Sequence, residues 1–300
     1  MKICRFDDDR LGIVEDDEVL DVTGALDAIP EQRWPLAQGD PLILNFKKVL
    51  AAAKKLAAKA KRKKLASVKL LSPVANPGKI IAAPINYNDH ITESIKDPGI
   101  AHGRTNIQKG IGEWGLFLKA SSALIGFGEE IRLRWPERRN DHEVELALVI
   151  GKQGRHIPAS RALDHIAGYA CYNEGSIRDW QRHTSQFLSG KTFAESGSFG
   201  PWLVTADEVP DPSKLKLQTR LNGTVVQDTT TDLLITGIPE LIAYISTICP
   251  LVPGDVIVTG TPGGVGAKRT PPLWMRPGDT VEVEISGIGI LRNTVVAEPA

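Results

Sequence analysis

The stretch with the clearest chemical potential is Asp141-His142-Glu143-Val144-Glu145, which runs directly into the apolar series Leu146-Ala147-Leu148-Val149-Ile150. Read as a β-strand, the chain alternates faces, so Asp141, Glu143 and Glu145 share a side with Ala147 and Val149, while His142, Val144, Leu146 and Leu148 take the other. Carboxylates two residues apart lie roughly 6.5 Å from one another along a strand, close enough for their side chains to converge on one cation. Their repulsion beside an apolar run calls for a counter-charge, and a divalent metal would supply one. A solvated strand end carrying three acids is the other reading of the same residues.

Three further places carry reactive groups. In Asn86-Tyr87-Asn88-Asp89-His90-Ile91-Thr92-Glu93, a helix would put His90 and Glu93 on one face at a spacing of three. A histidine held by a carboxylate is the minimum for a general base of fixed tautomer, although most such pairs are surface pairs. Gly190-Lys191-Thr192-Phe193 confines one lysine among small residues, where it is costly unless anions pair with it. Gly260-Thr261-Pro262-Gly263-Gly264-Val265-Gly266 is a glycine-rich turn, read either as a tight connection or as a nest of backbone donors.

The elements that must position these groups follow from pattern. Met1–Phe6, Leu11–Glu15 and Val19–Val22 read as short strands joined by acidic turns. From Leu42 to Leu65 the spacing predicts a helix, with Phe46, Val49, Leu50, Ala53 and Leu56 on one face. Nine Lys or Arg and no acid occur between Lys47 and Lys64. No aromatic interleaving or sequence-reading motif accompanies them, so a solvated face is preferred to a nucleic-acid or lipid patch. Pro73 and Pro77-Gly78 break the chain, which places a small N-terminal domain at 1–77 and the main body at 78–300.

In the main body, Lys79–Ala83, Trp114–Leu124 and Gly168–Asn173 are predicted strands. Residues 94 to 114 show no clear period and read as a loop. Pro158–Ile166 and Ser176–His183 are predicted short helices, and Ile238–Ile248 is an amphipathic helix with Pro239 near its start. Leu221-Asn222-Gly223-Thr224 is a strong hairpin signal. Pro253-Gly254-Asp255 and Pro277-Gly278-Asp279 are turns that introduce strands. The balance is α+β and β-rich, with too few strand–helix alternations for a doubly wound sheet.

Composition sets outer bounds. The 300 residues are 42% hydrophobic and 24% charged, with Lys+Arg and Asp+Glu both at 36. No net charge points towards nucleic acid or a membrane surface. Three dispersed cysteines suit neither a disulfide framework nor a structural zinc site. No leader-like N-terminus and no run of about 18 apolar residues is present, so a cytoplasmic protein without membrane or nucleic-acid partners is expected.

Taken in order, four blocks resemble the fumarylacetoacetate hydrolase family: Asp141–Lys152, Gly168–Gln181, Gly190–Phe193 and Gly260–Gly266. The likeness spans about residues 79 to 297. It implies a mixed β-sandwich roll as the C-terminal catalytic domain, behind a small N-terminal α/β domain. It further implies that Glu143, Glu145 and Glu174 bind a divalent cation, most often Mg²⁺, with Mn²⁺ or Ca²⁺ as alternatives. Glu174 stands where most relatives carry Asp. His90 and Glu93 match a water-activating dyad, Lys191 would stabilise an enolate or oxyanion, and Arg178 and Gln181 would hold substrate or the metal's surroundings. Thr261 and Gly260 would offer a hydroxyl and backbone donors to a substrate carboxylate.

The implied activity is metal-dependent hydrolysis of a carbon–carbon bond in a 1,3-dicarbonyl or acylpyruvate-type 2-oxo acid. A lyase or isomerase built on the same metal-enolate site, such as a 2-oxo diacid decarboxylase or a 2-hydroxydienoate isomerase or hydratase, is the close alternative. A non-catalytic module working through the basic stretch is the distant one. The resemblance also implies a homodimer. Ala83-Pro84-Ile85 departs from the family's glycine-containing approach to Asn86, and neither Arg104–Trp114 nor Lys268–Trp274 shows a pattern that assigns a substrate.

Overall fold

The computed structural model describes residues 1–95 and 111–299, and of residues 92–95 only the backbone. The N-terminal strands are β1 (Lys2–Phe6), β2 (Arg10–Glu15), β3 (Glu18–Asp21), β4 (Lys61–Lys64) and β5 (Leu70–Leu71). The body continues with β6 (Ile80–Ala82), β7 (Phe117–Lys119), β8 (Leu124–Ile125), β9 (Glu130–Leu133), β10 (Asn140–Asp141), β11 (Val144–Ile150) and β12 (Ile166–Asn173). Then come β13 (Ser176–Ile177), β14 (Gly197–Thr205), β15 (Lys216–Leu221), β16 (Thr224–Thr230), β17 (Val256–Val258), β18 (Thr280–Ile285) and β19 (Gly289–Ala297).

The larger sheet runs β4-β3-β2-β1-β14-β12-β11-β17-β6-β7, and a second runs β16-β15-β18-β19-β9. The N-terminal strands extend the larger sheet, because β1 pairs antiparallel with β14. β10 and β13 form a separate two-stranded ribbon beside the acidic stretch.

β11 is buried along its whole length. Val144, Leu146, Leu148 and Ile150 pack in one cluster with Leu241, Ile242 and Ile245 of the helix Ile238–Ile248 and with Leu217 and Val283 of the second sheet. Ala147 and Val149 face the opposite cluster, with Ala170, Tyr172, Phe199 and Val258. The apolar half of the acidic stretch is therefore enclosed on both faces, as a central strand must be. That enclosure holds Glu143 and Glu145 at the strand's start within the protein.

The hairpin, the amphipathic helix and the strands after the two Pro-Gly-Asp turns form as the sequence predicts. Asn222 and Gly223 take φ of 52° and 78°, the left-handed pair that a two-residue connection between right-twisted strands requires. The basic stretch is different. The helix Phe46–Ala57 stops after three turns, and Lys61–Lys64 form a fully exposed edge strand on β3. The apolar spacing that supports a helix ends near Ala57, and acids then draw the lysine-rich segment across. Arg62 bonds Glu18 at 2.8 Å and Lys63 bonds Asp7 at 2.8 Å. A run of cations is also what an exposed sheet edge needs to resist further pairing.

Other boundaries shift for local reasons. Pro158–Ile166 is a 3₁₀ turn over Ala159–His165. Trp114–Leu124 divides into the end of the helical turn Ile111–Trp114, the strand β7 and a 3₁₀ turn at Ser121–Ala123. Ser176–His183 begins as strand because Ser176 and Ile177 pair with Asp141 and Asn140, which leaves Arg178–Gln181 as a single helical turn. Most of the stretch read as loop, residues 96–110, lies outside the described residues.

Gly175 follows Glu174, and a Cβ there would sit 1.7 Å from the Ser196 carbonyl oxygen. Gly175→Ala therefore forces backbone apart and is expected to cost about 3 kcal/mol. A lower urea unfolding midpoint with an unchanged denaturant slope is the signature.

Candidate active site

Neighbouring strand ends assemble the site. Glu143 precedes β11 and Glu174 follows β12, and the two strands pair antiparallel with Val144 opposite Asn173. The Glu174 backbone N–H donates to the Glu143 carbonyl at 2.9 Å, and the Glu143 N–H donates to Asn173 Oδ1 at 3.1 Å. Glu145 lies on β11, and the Gly260 N–H just beyond β17 donates to its Oε2 at 2.7 Å. Gly260 has φ +93°, and an added Cβ would meet the Asn86 Cβ at 2.8 Å, so glycine alone allows that approach. Asn86 fixes the other wall by donating to the Thr259 and Thr236 carbonyls and accepting from the Thr236 N–H.

Buried cations meet these acids. Lys191 Nζ lies 2.6 Å from Glu143 Oε2, and Arg178 Nη2 lies 2.6 Å from Glu143 Oε1. Arg178 Nε donates to Asp141 Oδ2 at 2.8 Å. Lys119 Nζ donates to Glu174 Oε1 at 2.7 Å, with both side chains fully enclosed. Asp141 also accepts from the Gly266 and Ala267 N–H groups at 2.8 and 3.0 Å, which ties the glycine-rich turn to Arg178.

Burial opposes ionisation of Glu143, but Arg178, Lys191 and His90 overcome it and hold its pKa at about 2. Glu145 moves the other way. Burial, then the charges of Glu174 and Glu143, push its pKa well above 4.5. Desolvation lowers that of Lys119 despite Glu174 beside it. Arg178, opposed by the same desolvation, is held charged by Glu143 and Asp141. Four buried carboxylates, Asp141, Glu143, Glu145 and Glu174, thus share three buried strong bases, Lys119, Arg178 and Lys191.

A divalent cation fits this donor set. Three of the carboxylates gather at adjoining strand ends, Glu145 accepts from the Gly260 backbone N–H, and among the described residues the buried Glu174 Oε2 has no hydrogen-bond partner. Oxygen-only ligands suit a hard ion. The lysines now occupy carboxylate oxygens, and among the described residues no three His, Cys, Asp or Glu side chains already stand as a cation cage.

The structure brings His90, Glu143, Arg178, Gln181 and Lys191 to the wall of one small cavity. Arg178 Nη1 donates to Gln181 Oε1 at 3.0 Å, which orients that amide. His90 is buried on the helix Asn88–Ile95. The Glu93 backbone is on the same helix, but its side chain, and with it the proposed dyad contact, lies outside the described residues. Gly260 reaches Glu145, whereas Thr261 is buried behind it with its hydroxyl accepting from Gln227. The sequence reading places Lys119 on a strand but gives it no role, and only its position at the end of an apolar Phe-Leu-Lys strand could have signalled one. Asp141, expected either as a strand end or as a support behind the metal-binding acids, anchors Arg178 and the glycine turn.

The fold and this buried carboxylate–lysine cluster are those of an enzyme with a charged, enclosed site, and comparison with known proteins specifies its class. The family described as "Fumarylacetoacetate (FAA) hydrolase C-terminal" matches residues 79–296. The chain belongs to the fumarylacetoacetate hydrolase family, and it is a hydrolase of the class acting on carbon–carbon bonds. It is 45% identical to a maleylpyruvate hydrolase of Aquipseudomonas alcaligenes over 97% of this chain and 98% of that one. A human mitochondrial oxaloacetate tautomerase is 40% identical over 87% of this chain and 78% of its own. The crystal structure of maleylpyruvate hydrolase from Sphingobium sp. SYK-6 in complex with manganese(II) ion and pyruvate superimposes with a TM-score of 0.80 at 34% identity, covering 100% of both chains. The β-rich α+β architecture expected from the sequence is the one observed.

Glu145 gives a stability test. Its folded-state pKa lies above the unfolded value, so metal-free protein is favoured below pH 4.5 and loses that advantage as pH rises through the folded pKa. Glu145→Gln keeps an oxygen for the Gly260 N–H and removes the charge. At pH 8 without metal the variant should be more stable by about 1–2 kcal/mol. Calorimetric scans across pH in chelator should show a smaller alkaline decline for the variant.

Proposed function

We propose that the protein hydrolyses the carbon–carbon bond of an acylpyruvate, with Glu143, Glu145 and Glu174 holding Mg²⁺ or Mn²⁺. The observation that carries the reading is a buried cluster of four carboxylates, of which Glu143 meets His90 and Lys191 at one cavity. Full-length similarity to a maleylpyruvate hydrolase supports the substrate class. What a divalent ion supplies at those carboxylates is Lewis-acid polarisation of the 2-oxo acid oxygens.

The chain's own groups account for the proton and charge movements. His90 takes a proton from water as the water oxygen adds to the distal carbonyl carbon. The bond between that carbon and the methylene of the pyruvyl half then breaks, and its electron pair enters an enolate. Lys191, which donates to Glu143, lies at the cavity wall to stabilise that charge. Protonation of the enolate completes pyruvate, and the other half leaves as a carboxylic acid. Gln181, set by Arg178, and the Gly260–Thr261 turn bind the substrate's polar ends.

Enol–keto exchange of a 2-oxo diacid is the second reading, favoured by the tautomerase relative. It needs the same enolate stabilisation without attack by water, so product analysis separates them: hydrolysis yields two acids, tautomerisation keeps the mass. A cytoplasmic homodimer belongs to this proposal, tested by light scattering on purified protein. No helix among the described residues is long and apolar enough to cross a membrane.

His90→Ala is expected to lower kcat on an acylpyruvate by roughly 10²- to 10⁴-fold. Titration calorimetry should show metal binding retained, and wild-type turnover in the variant would remove His90 from the mechanism. Chelation should abolish turnover and lower Tm. Adding Mn²⁺ back at a hundred times its Kd should restore about 2.7 kcal/mol of stability.

A further inference from the structure

Gln227 lies on β16 in the second sheet and is 2% exposed. Its amide is saturated. Oε1 accepts from the Val144 N–H at 3.0 Å and from the Thr219 hydroxyl at 2.8 Å. Nε2 donates to Thr261 Oγ1 at 2.9 Å and to the Pro262 carbonyl at 3.2 Å. The amide's orientation follows from its partners: a backbone N–H can only donate and a backbone carbonyl can only accept, so oxygen must face Val144 and nitrogen must face Pro262. Thr261 therefore receives a hydrogen bond from Gln227 and cannot give one to it.

A hydroxyl has one proton to donate. With its lone pair engaged by Gln227, the Thr261 proton is directed elsewhere, and among the described residues the hydroxyl makes no other hydrogen bond. The same amide holds Val144, which lies between Glu143 and Glu145. The adjoining turn also rests on this strand: a Cβ on Gly264 would meet the Val226 carbonyl oxygen at 2.4 Å. We propose that Gln227 is a positioning residue that forces the Thr261 hydroxyl to act as a donor to the substrate carboxylate and locks that donor in register with the Glu143–Glu145 strand. The proposal rests on the acylpyruvate reading, in which Thr261 meets a carboxylate.

Pyruvate binding to Mn²⁺-loaded protein, followed by calorimetry, is the test, with methyl pyruvate as the uncharged control. Thr261→Val and Gln227→Met should each weaken pyruvate binding by roughly 10- to 100-fold, the range for a hydrogen bond to a charged group. The control should weaken less. The double variant should be no weaker than Thr261→Val alone, because Gln227 acts through that hydroxyl. Gln227→Glu keeps the Val144 and Thr219 contacts and loses the donor when ionised, so its pyruvate affinity should fall as pH rises. Should Gln227→Met fail to fold, Gln227→Glu measured alone and with Thr261→Val gives the same cycle. Additive losses in the double variant, or equal losses for pyruvate and its ester, overturn the role of Gln227 and leave the functional reading standing. Wild-type protein that binds no pyruvate with Mn²⁺ overturns both.

Discussion

Four buried carboxylates share a small volume with three buried strong bases, and much of the structure can be understood from that imbalance. A carboxylate removed from water is stable only when paired or hydrogen-bonded. Glu143 reaches this state through Lys191 and Arg178, Asp141 through Arg178 and three backbone N–H groups, and Glu174 through Lys119. Glu145 has the Gly260 N–H and two anionic neighbours, and burial with those neighbours raises its pKa. The cluster is therefore organised for one more positive charge. Strain of this kind costs stability in the metal-free protein and makes ion binding favourable, a usual exchange of stability for function.

The architecture follows from keeping that cluster dry and ordered. β11 is apolar on both faces beyond Glu145, so it runs through the middle of the larger sheet and fixes the heights of Glu143 and Glu145. Antiparallel pairing with β12 brings Glu174 to the same end. Glycines then appear where backbone must approach closely. Gly260 lies against Asn86, and Gly266 has the Leu273 carbonyl oxygen 1.8 Å from where its Cβ would be. The second sheet contributes through Gln227, whose amide meets both the acidic strand and the glycine turn.

Features that depend on local pattern were legible in the chain. Period-two alternation predicted a strand over Asp141–Ile150, of which Val144–Ile150 forms with Glu145 inside it while Glu143 stands just before it, and Asn222-Gly223 specified the hairpin. The apolar stripe of Ile238–Ile248 specified a helix against the core. Features that depend on long-range pairing were not. Nothing within Lys61–Lys64 indicates that Glu18 and Asp7 lie opposite, so helical spacing upstream was extended too far. Lys119 lies 55 positions from Glu174 and Gln227 lies 83 from Val144. Their roles come from topology, which a single chain does not display. The four ordered blocks of the family resemblance bridged part of this distance for Lys191, Arg178 and Glu174, but they did not cover residues whose contacts serve the catalytic groups rather than the substrate.

Relatives of this chain bear the names of both a hydrolase and a tautomerase, and the site's construction makes that pairing intelligible. Cation-assisted stabilisation of an enolate is common to both reactions, and the acids and bases suited to it are buried together: Glu143, Glu145, Glu174 and Lys119 on or beside the strands of the larger sheet, and Lys191 at the end of the helical turn Leu188–Lys191. Hydrolysis adds one demand, a water molecule delivered and deprotonated beside the carbonyl. In the proposed mechanism that demand falls to His90, on the helix Asn88–Ile95, which lies outside the sheet. The core can thus stay constant while the surrounding segments decide whether water takes part. On this view the choice between bond cleavage and proton transfer depends less on the carboxylates than on whether a base at the position of His90 activates water beside them.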